Sequence, residues 1–229
     1  MQQENRKKHM TDLIKRYAIF TLGLYFLAFG IVFIVRSALG TTPISSINYV
    51  VSLNTPLTLG TCTFLINMLL IAGQFWLIRG RRTRRDEVEI LLQIPFSFIF
   101  SAFIDLNMLL TAGIVPANYG MSLTLLALGC VMQAIGVVLE LKPRVAMMSA
   151  EAFVRYASTR YGKDFGRFKV GFDVTLVSLA VILSLILTHR VEGVREGSLV
   201  AACATGFLVS FLNTRIMTRA TLRRLHIMH

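Results

Sequence analysis

The stretch YAIFTLGLYFLAFGIVFIVR, residues 17–36, decides how this chain is read. It is apolar throughout except for Arg36 at its end. A helix of about 20 such residues crosses the hydrocarbon core of a bilayer. Five more runs of the same kind follow, at about 57–78, 90–112, 121–141, 167–188 and 197–216. The composition agrees with six spans. Of 229 residues, 55% are hydrophobic and only 16% charged, against about 25% charged in an average soluble domain. Mean hydropathy is +0.64. These values exclude a disordered chain, a disulfide-stapled miniprotein and an ordinary soluble enzyme. The reading is a single all-α membrane domain over 1–229.

The net charge of +12 would suit nucleic acid if it lined one face of a folded domain. It does not. Basic residues cluster between the apolar runs, as cytoplasmic loops of membrane proteins do. Residues 1–16 carry Arg6, Lys7, Lys8, Lys15 and Arg16; 79–89 holds Arg79, Arg81, Arg82, Arg84 and Arg85. The connection 142–169 holds Lys142, Arg144, Arg155, Arg160, Lys163, Arg167 and Lys169, and the tail Arg215, Arg219, Arg223 and Arg224. The connections 37–56 and 113–120 carry no charge, and 189–196 is mixed. Basic and non-basic segments alternate across all six spans, which predicts both termini in the cytoplasm. The basic N-terminal segment resembles a signal-peptide n-region, but the run after it is long and lacks an A-x-A site, so a retained first helix is expected. Cys62, Cys130 and Cys203 lie in apolar runs without CxxC or nearby His, as packing cysteines do.

A shift of 106 positions superposes Gly23 on Gly129, Ala28 on Ala134, Gly30 on Gly136, Arg36 on Lys142, Ser52 on Ser158, Gly60 on Gly166, Asn67 on Asp173, and Leu106-Asn107 on Leu212-Asn213. The offset is constant, so two repeats are read, at about 17–112 and 121–217. Each holds three spans, an odd number, so the halves enter the membrane from opposite sides. Inverted repeats of this kind are common in transporters, with the substrate site at the repeat interface; an enzyme, channel or scaffold can also be duplicated. After the first span of each half comes a segment too short to cross, PISSINYVVSL at 43–53 and SAEAFVRYAST at 149–159. Pro43 and Ser149 sit at matched positions, each suited to a helix N-terminus. Two short helices are expected, surface-lying or re-entrant; Glu151 and Arg155 make an interfacial position at least as good for the second.

Charge inside a span is costly, so the polar residues there are the candidates. Asn67 and Asp173 are repeat mates, read as facing each other across a pseudo-two-fold axis: either a substrate or proton contact, or an interhelical hydrogen bond. Polar and small residues form helical stripes: Gly60, Thr63, Asn67 and Gln74; Gln93, Ser97, Ser101 and Asp105; Gly129, Gln133, Gly136 and Glu140; Cys203, Gly206, Ser210 and Asn213. Such stripes turn toward other helices rather than lipid. Asn107 and Asn213 are matched near the span ends. A water-lined cavity would account for Gln93, Asp105, Gln133 and Glu140. Arg36 and Lys142, at matched span ends, either snorkel to headgroups or gate an anionic substrate. Arg195 and Glu196, at the mouth of the sixth span, pair with each other or with a ligand. His9, His189, His226 and His229 all lie outside the spans, and HExxH, GxSxG, P-loop and GxGxxG patterns are missing. No enzyme, metal or cofactor is expected.

The runs PISSINYVVSLNTPLTLGTCTFLINMLLIAGQ (43–74), LLQIPFSFIFSAFIDLNMLL (91–110), GKDFGRFKVGFDVTLVSLAVILSLI (162–186) and VREGS (194–198) resemble the YitT/YczE/YyaS-type bacterial integral membrane proteins. The resemblance implies a bacterial inner-membrane protein of about six spans, in the shorter form without a soluble C-terminal domain. It implies no catalytic residue. The expected function is a small secondary transporter of a polar or anionic metabolite, with the lipid bilayer and a small solute as partners and a homo-oligomer or membrane partner possible. The alternatives are a non-transporting accessory or substrate-binding subunit that docks through 142–169, or a lipid-acting enzyme.

Overall fold

A computed structural model describes residues 2–80, 83–143 and 145–212, with side chains from residue 10 onward. Arg6, Lys7 and Lys8 as side chains, and Arg81, Arg82, Arg144, Asn213 and the tail arginines altogether, lie outside the described residues. Eight helices make up the described fold: α1 Gln2–Arg36, α2 Pro43–Asn54, α3 Leu59–Leu77, α4 Arg84–Leu110, α5 Tyr119–Leu141, α6 Ser149–Tyr161, α7 Phe165–Thr188 and α8 Glu196–Phe211. Five, α1, α3, α4, α5 and α7, are long and apolar enough to cross a membrane; α8 is apolar but shorter. This is the build of a polytopic membrane protein.

Polar caps set the helix starts. The side chains of Thr58, Thr83, Asn118 and Asp164 accept hydrogen bonds from the backbone N–H groups of Thr61, Asp86, Met121 and Arg167, each satisfying a donor the helix leaves free. Hence α4 begins at Arg84, a turn before the apolar run at 90. α1 extends back through the basic segment to Gln2, because no Gly or Pro interrupts 2–22. α2 begins at Pro43, whose fixed φ suits a first helical position. Ser149 also opens its helix, but not as the cap: Met148 holds that position and the Ser149 hydroxyl is used elsewhere.

The centre of the fold is the antiparallel contact of α1 with α5. Four glycines let the backbones meet. A Cβ on Gly23 would stand 2.7 Å from the Glu140 nitrogen, and one on Gly129 would stand 2.9 Å from the Ile34 nitrogen. A Cβ on Gly30 would overlap the Gln133 nitrogen, and one on Gly136 the Leu27 nitrogen. Around this seam α4 packs on α1 through Phe20, Phe96 and Phe100, and α8 packs on α5 through Leu126, Cys130 and Ala201. α2 lies against α3 and α7, and α6 against α3 and α7. α3 packs closely on α4, with Gly60 against the Ser101 carbonyl and Asp105. α7 and α8 show no such close packing. In consequence Cys203, Gly206 and Ser210 face outward on α8, correcting the expectation that this stripe turns toward other helices. Ala201, Ala204 and Leu208 carry the contact instead. Exposed apolar side chains such as Leu69, Phe98, Leu109, Ile182 and Phe207 are the surface that lipid would cover.

Candidate functional site

The first turns of α2 and α6 meet the seam of α1 and α5 around a cavity of about 130 Å³. Its apolar walls are Leu27, Ile31, Phe100, Val137, Leu141 and Met148. Its polar lining comes from Thr42, Ser45 and Asn48 at the start of α2, Thr63 and Asn67 on α3, Gln133 and Glu140 on α5, and Glu151 on α6. Helix α6 reaches this point because it starts deep in the bundle. Ser149 donates from its hydroxyl to Asn67 Oδ1 at 2.8 Å, and its carbonyl accepts from Gln74 Nε2 at 3.1 Å. At its other end Arg160 donates to the carbonyls of Leu77 and Arg79, at the end of α3. So α6 runs from the middle of α3 to its C-terminus. It is packed among helices rather than lying on the surface, with Ala152, Val154 and Ala157 buried.

The amides are held from one side and free on the other. Thr63 gives its hydroxyl proton to the Leu59 carbonyl, so it can only accept from Asn48 Nδ2, at 3.1 Å. That fixes the Asn48 amide and leaves Oδ1 buried without a partner. Asn67 Nδ2 and Gln133 Oε1 are likewise buried and unpartnered. Such groups cost about 1–3 kcal/mol each if left dry. Glu140 is 4% exposed. It interacts electrostatically with Glu151 and takes a hydrogen bond from the main chain of Met148. Burial pushes the Glu151 carboxyl above the ordinary carboxylate range, Lys169 opposes that and Asp173 adds to it. Among the described residues no Lys, Arg or His lines the cavity. The N-terminal turns of α2 and α6 add a positive field at the cavity itself, a partial charge of roughly half a unit each.

Of the residues picked out from sequence, Asn67, Gln133 and Glu140 meet here. The others do not. Asp173 does not line the cavity; it pairs with Lys169 one turn back on α7, at 2.7 Å. The expected facing pair is therefore replaced by two separate partnerships, Asn67 with Ser149 and Asp173 with Lys169. Gln93 closes a reciprocal amide pair with Gln74, both bonds 2.9 Å. Asp105 accepts from the Thr58 hydroxyl at 2.7 Å and the Gly60 N–H at 2.8 Å, tying the start of α3 to the end of α4. Asn107 is fully buried with both side-chain polar atoms unpartnered. Arg36 donates to the Met108 carbonyl at 2.8 Å and to Thr111 Oγ1 at 3.3 Å, which ties it to the end of α4 rather than leaving it at a mouth. Lys142 ends α5 and does not line the cavity. Arg195 pairs with Glu196 at 3.6 Å and donates to the Ala38 carbonyl. Asn48 and Glu151 were not read as site residues. Their signals were the Ser45–Asn48 helical spacing and a carboxylate two residues inside a short helix.

A wider cleft of about 720 Å³ lies where α3, α4 and α6 end or begin. Glu89 there pairs with Arg155 at 2.8 Å and with Arg85 at 3.4 Å. Among the described residues no cluster of His, Cys, Asp and Glu could hold a metal ion.

Residues 14–214, most of the chain, match the sequence model of a family described as a family of unknown function, DUF6198. No curated protein and no solved structure matches.

Proposed function

We propose that this chain, which belongs to the DUF6198 family, is a small secondary transporter that binds a polar metabolite in the Asn67–Gln133–Glu140–Glu151 cavity and works by alternating access of two inverted halves. One observation carries the reading. Positions 106 apart line the same cavity as pairs: Leu27 with Gln133, Ile31 with Val137, Thr42 with Met148, Ile44 with Ala150, and Ser45 with Glu151. The glycine seam pairs in the same way, Gly30 on Gln133 against Gly136 on Leu27. The helix packing repeats as well, α1 on α4 as α5 on α8, and α2 on α7 as α6 on α3. A cavity on a two-fold axis of inverted halves is where a solute can be exposed to either side in turn. On this reading α8 belongs to the sixth span, α2 and α6 are re-entrant, and both termini are cytoplasmic. The chain is then a bacterial inner-membrane protein related to the YitT/YczE/YyaS type, without catalytic chemistry of its own.

Cysteine accessibility tests the reading. In a background with Cys62, Cys130 and Cys203 replaced, Ile44→Cys and Ala150→Cys place thiols at matched positions on the cavity wall. A membrane-impermeant maleimide applied to right-side-out and inverted vesicles should label both, with opposite side preferences. Failure to reach either position from either side would overturn alternating access at this cavity.

A further inference from the structure

The geometry points to a site for a small organic monocation, held between Glu140 and Glu151 and taken up in exchange for a proton. The inference rests on the transporter reading for its physiological sense, but the binding site stands on its own observations. Two carboxylates from different helices, α5 and α6, reach one cavity with no basic side chain lining it among the described residues. Two nine-tenths-buried amides also line it with an unpartnered atom, Asn48 Oδ1 and Asn67 Nδ2. Together with Gln133 Oε1 the free polar atoms are mostly acceptors. That set matches a donor-bearing or cationic solute and mismatches the anion that charge at the span ends first suggested.

The charged groups on neighbouring elements do not cancel the pair. Lys169 of α7 faces Glu151, but its ammonium is 2.7 Å from Asp173 of the same helix. Glu89 of α4 is held by Arg155. α1 and α3 contribute only apolar and amide or hydroxyl groups to the cavity. Adjacent like charges disfavour double ionisation, so the empty pair keeps one proton and a site charge of −1. When a monocation enters, that proton leaves to the compartment the cavity faces; the ionised pair plus the cation again carries −1. When the cation leaves, one carboxyl takes a proton back. The exchange is one for one and electroneutral at the site.

Size and walls choose the class of cation. The cavity of about 130 Å³ corresponds to roughly four waters at about 30 Å³ each. Ile31, Phe100, Val137 and Met148 favour an alkylated ammonium or guanidinium over a hydrated alkali ion, and an aromatic face attracts such cations.

The probes are tetramethylammonium and guanidinium, with Na⁺ and succinate as comparisons. Binding to the purified protein is followed by thermal shift and by proton release into weakly buffered detergent solution. Tetramethylammonium should stabilise the protein and release a proton. Its affinity should fall about tenfold per pH unit once the pair is protonated, and at least about tenfold in Glu140→Gln or Glu151→Gln. Both variants remove buried charge and keep shape, and each is checked for its own melting transition. Binding by succinate or Na⁺ alone, binding without proton release, or unchanged affinity in a folded Glu140→Gln would overturn the inference. Pyranine-loaded liposomes separate the two readings. Luminal alkalinisation on adding tetramethylammonium supports both. Glutamate-dependent binding with no flux upholds the site and refutes transport. Flux of succinate refutes the cation class and keeps transport.

Discussion

Adding one methyl group at the α1–α5 seam should unsettle the protein in a pattern set by the pseudo-symmetry. In Gly30→Ala the new Cβ overlaps the Gln133 nitrogen and stands 2.7 Å from both Gln133 Cα and the Gly129 carbonyl oxygen. In Gly136→Ala it overlaps the Leu27 nitrogen and stands 2.7 Å from Leu27 Cα. Ordinary carbon contacts lie near 3.5–4.0 Å, and all these neighbours are main chain, which no rotamer change can move. Forced overpacking costs about 1–3 kcal/mol, while Gly→Ala inside a helix returns about 1 kcal/mol. Both variants should therefore range from neutral to about 2 kcal/mol less stable. Gly23→Ala and Gly129→Ala, with closest approaches of 2.7 Å, should lose less. Gly171→Ala on α7 meets nothing within 4 Å and should gain up to about 1 kcal/mol. At roughly 2–4 °C per kcal/mol for a chain of this size, Gly30→Ala and Gly171→Ala should melt roughly 2–12 °C apart in detergent, the overpacking cost of about 1–3 kcal/mol being the difference between them. The refuting result is a Gly30→Ala protein as stable as Gly171→Ala. Gly30→Ala and Gly136→Ala differing from each other as much as from Gly171→Ala would refute it equally.

Two further outcomes follow from buried polar groups. Gln74→Leu alone strands Gln93 and the Ser149 carbonyl and should cost about 1–3 kcal/mol, whereas Gln74→Leu with Gln93→Leu should recover part of that loss; a double variant worse than the sum would show the amide pair is not the unit. Glu151 keeps its proton in the fold to higher pH than in the unfolded chain, so the folded state binds more protons there and stability falls as pH rises from about 4.3 toward the raised folded value. Glu151→Gln should flatten that part of the melting-temperature profile and raise stability at neutral pH; an unchanged slope would show that Glu151 is solvated.

Much of this architecture is written in local chemistry. Thr58, Thr83, Asn118 and Asp164 start helices within a few residues of where hydropathy alone puts the spans, because a cap is a contact between near neighbours. Gly23, Gly30, Gly129 and Gly136 are legible at their constant offset, and they do form the central seam. What fails is the choice of partner for a polar side chain. Asp173 looks like the mate of Asn67, yet Lys169 sits one turn away on the same face and takes it. Gln93 suggests a cavity, yet the register of α3 against α4 brings Gln74 to it. Glu151 suggests a surface helix, yet Ser149 bonds to Asn67 and Gln74 and so anchors the start of that helix inside the bundle. On α8 the small-residue stripe faces outward because α7 does not come across to meet it as α3 meets α4. These are tertiary outcomes, decided by which helix arrives and at what depth.

The contrast between frame and lining bears on how such a site could work. On the proposed two-fold reading the two halves share the frame of the cavity but not its chemistry. On that reading the carboxylates come from the second half, with mates Ile34 and Ser45, as does the Gln133 amide; Thr42, Ser45, Asn48, Thr63 and Asn67 come from the first. Carboxylates in both halves would put four acids in about 130 Å³, a charge that burial cannot hold. Amides in place of the carboxylates would leave nothing to exchange with a proton. A symmetric frame lets the two halves trade conformations at nearly equal energy, as alternating access requires. An asymmetric lining lets one occupant sit at the axis without competing with a second. The halves can therefore share a fold while only one of them titrates.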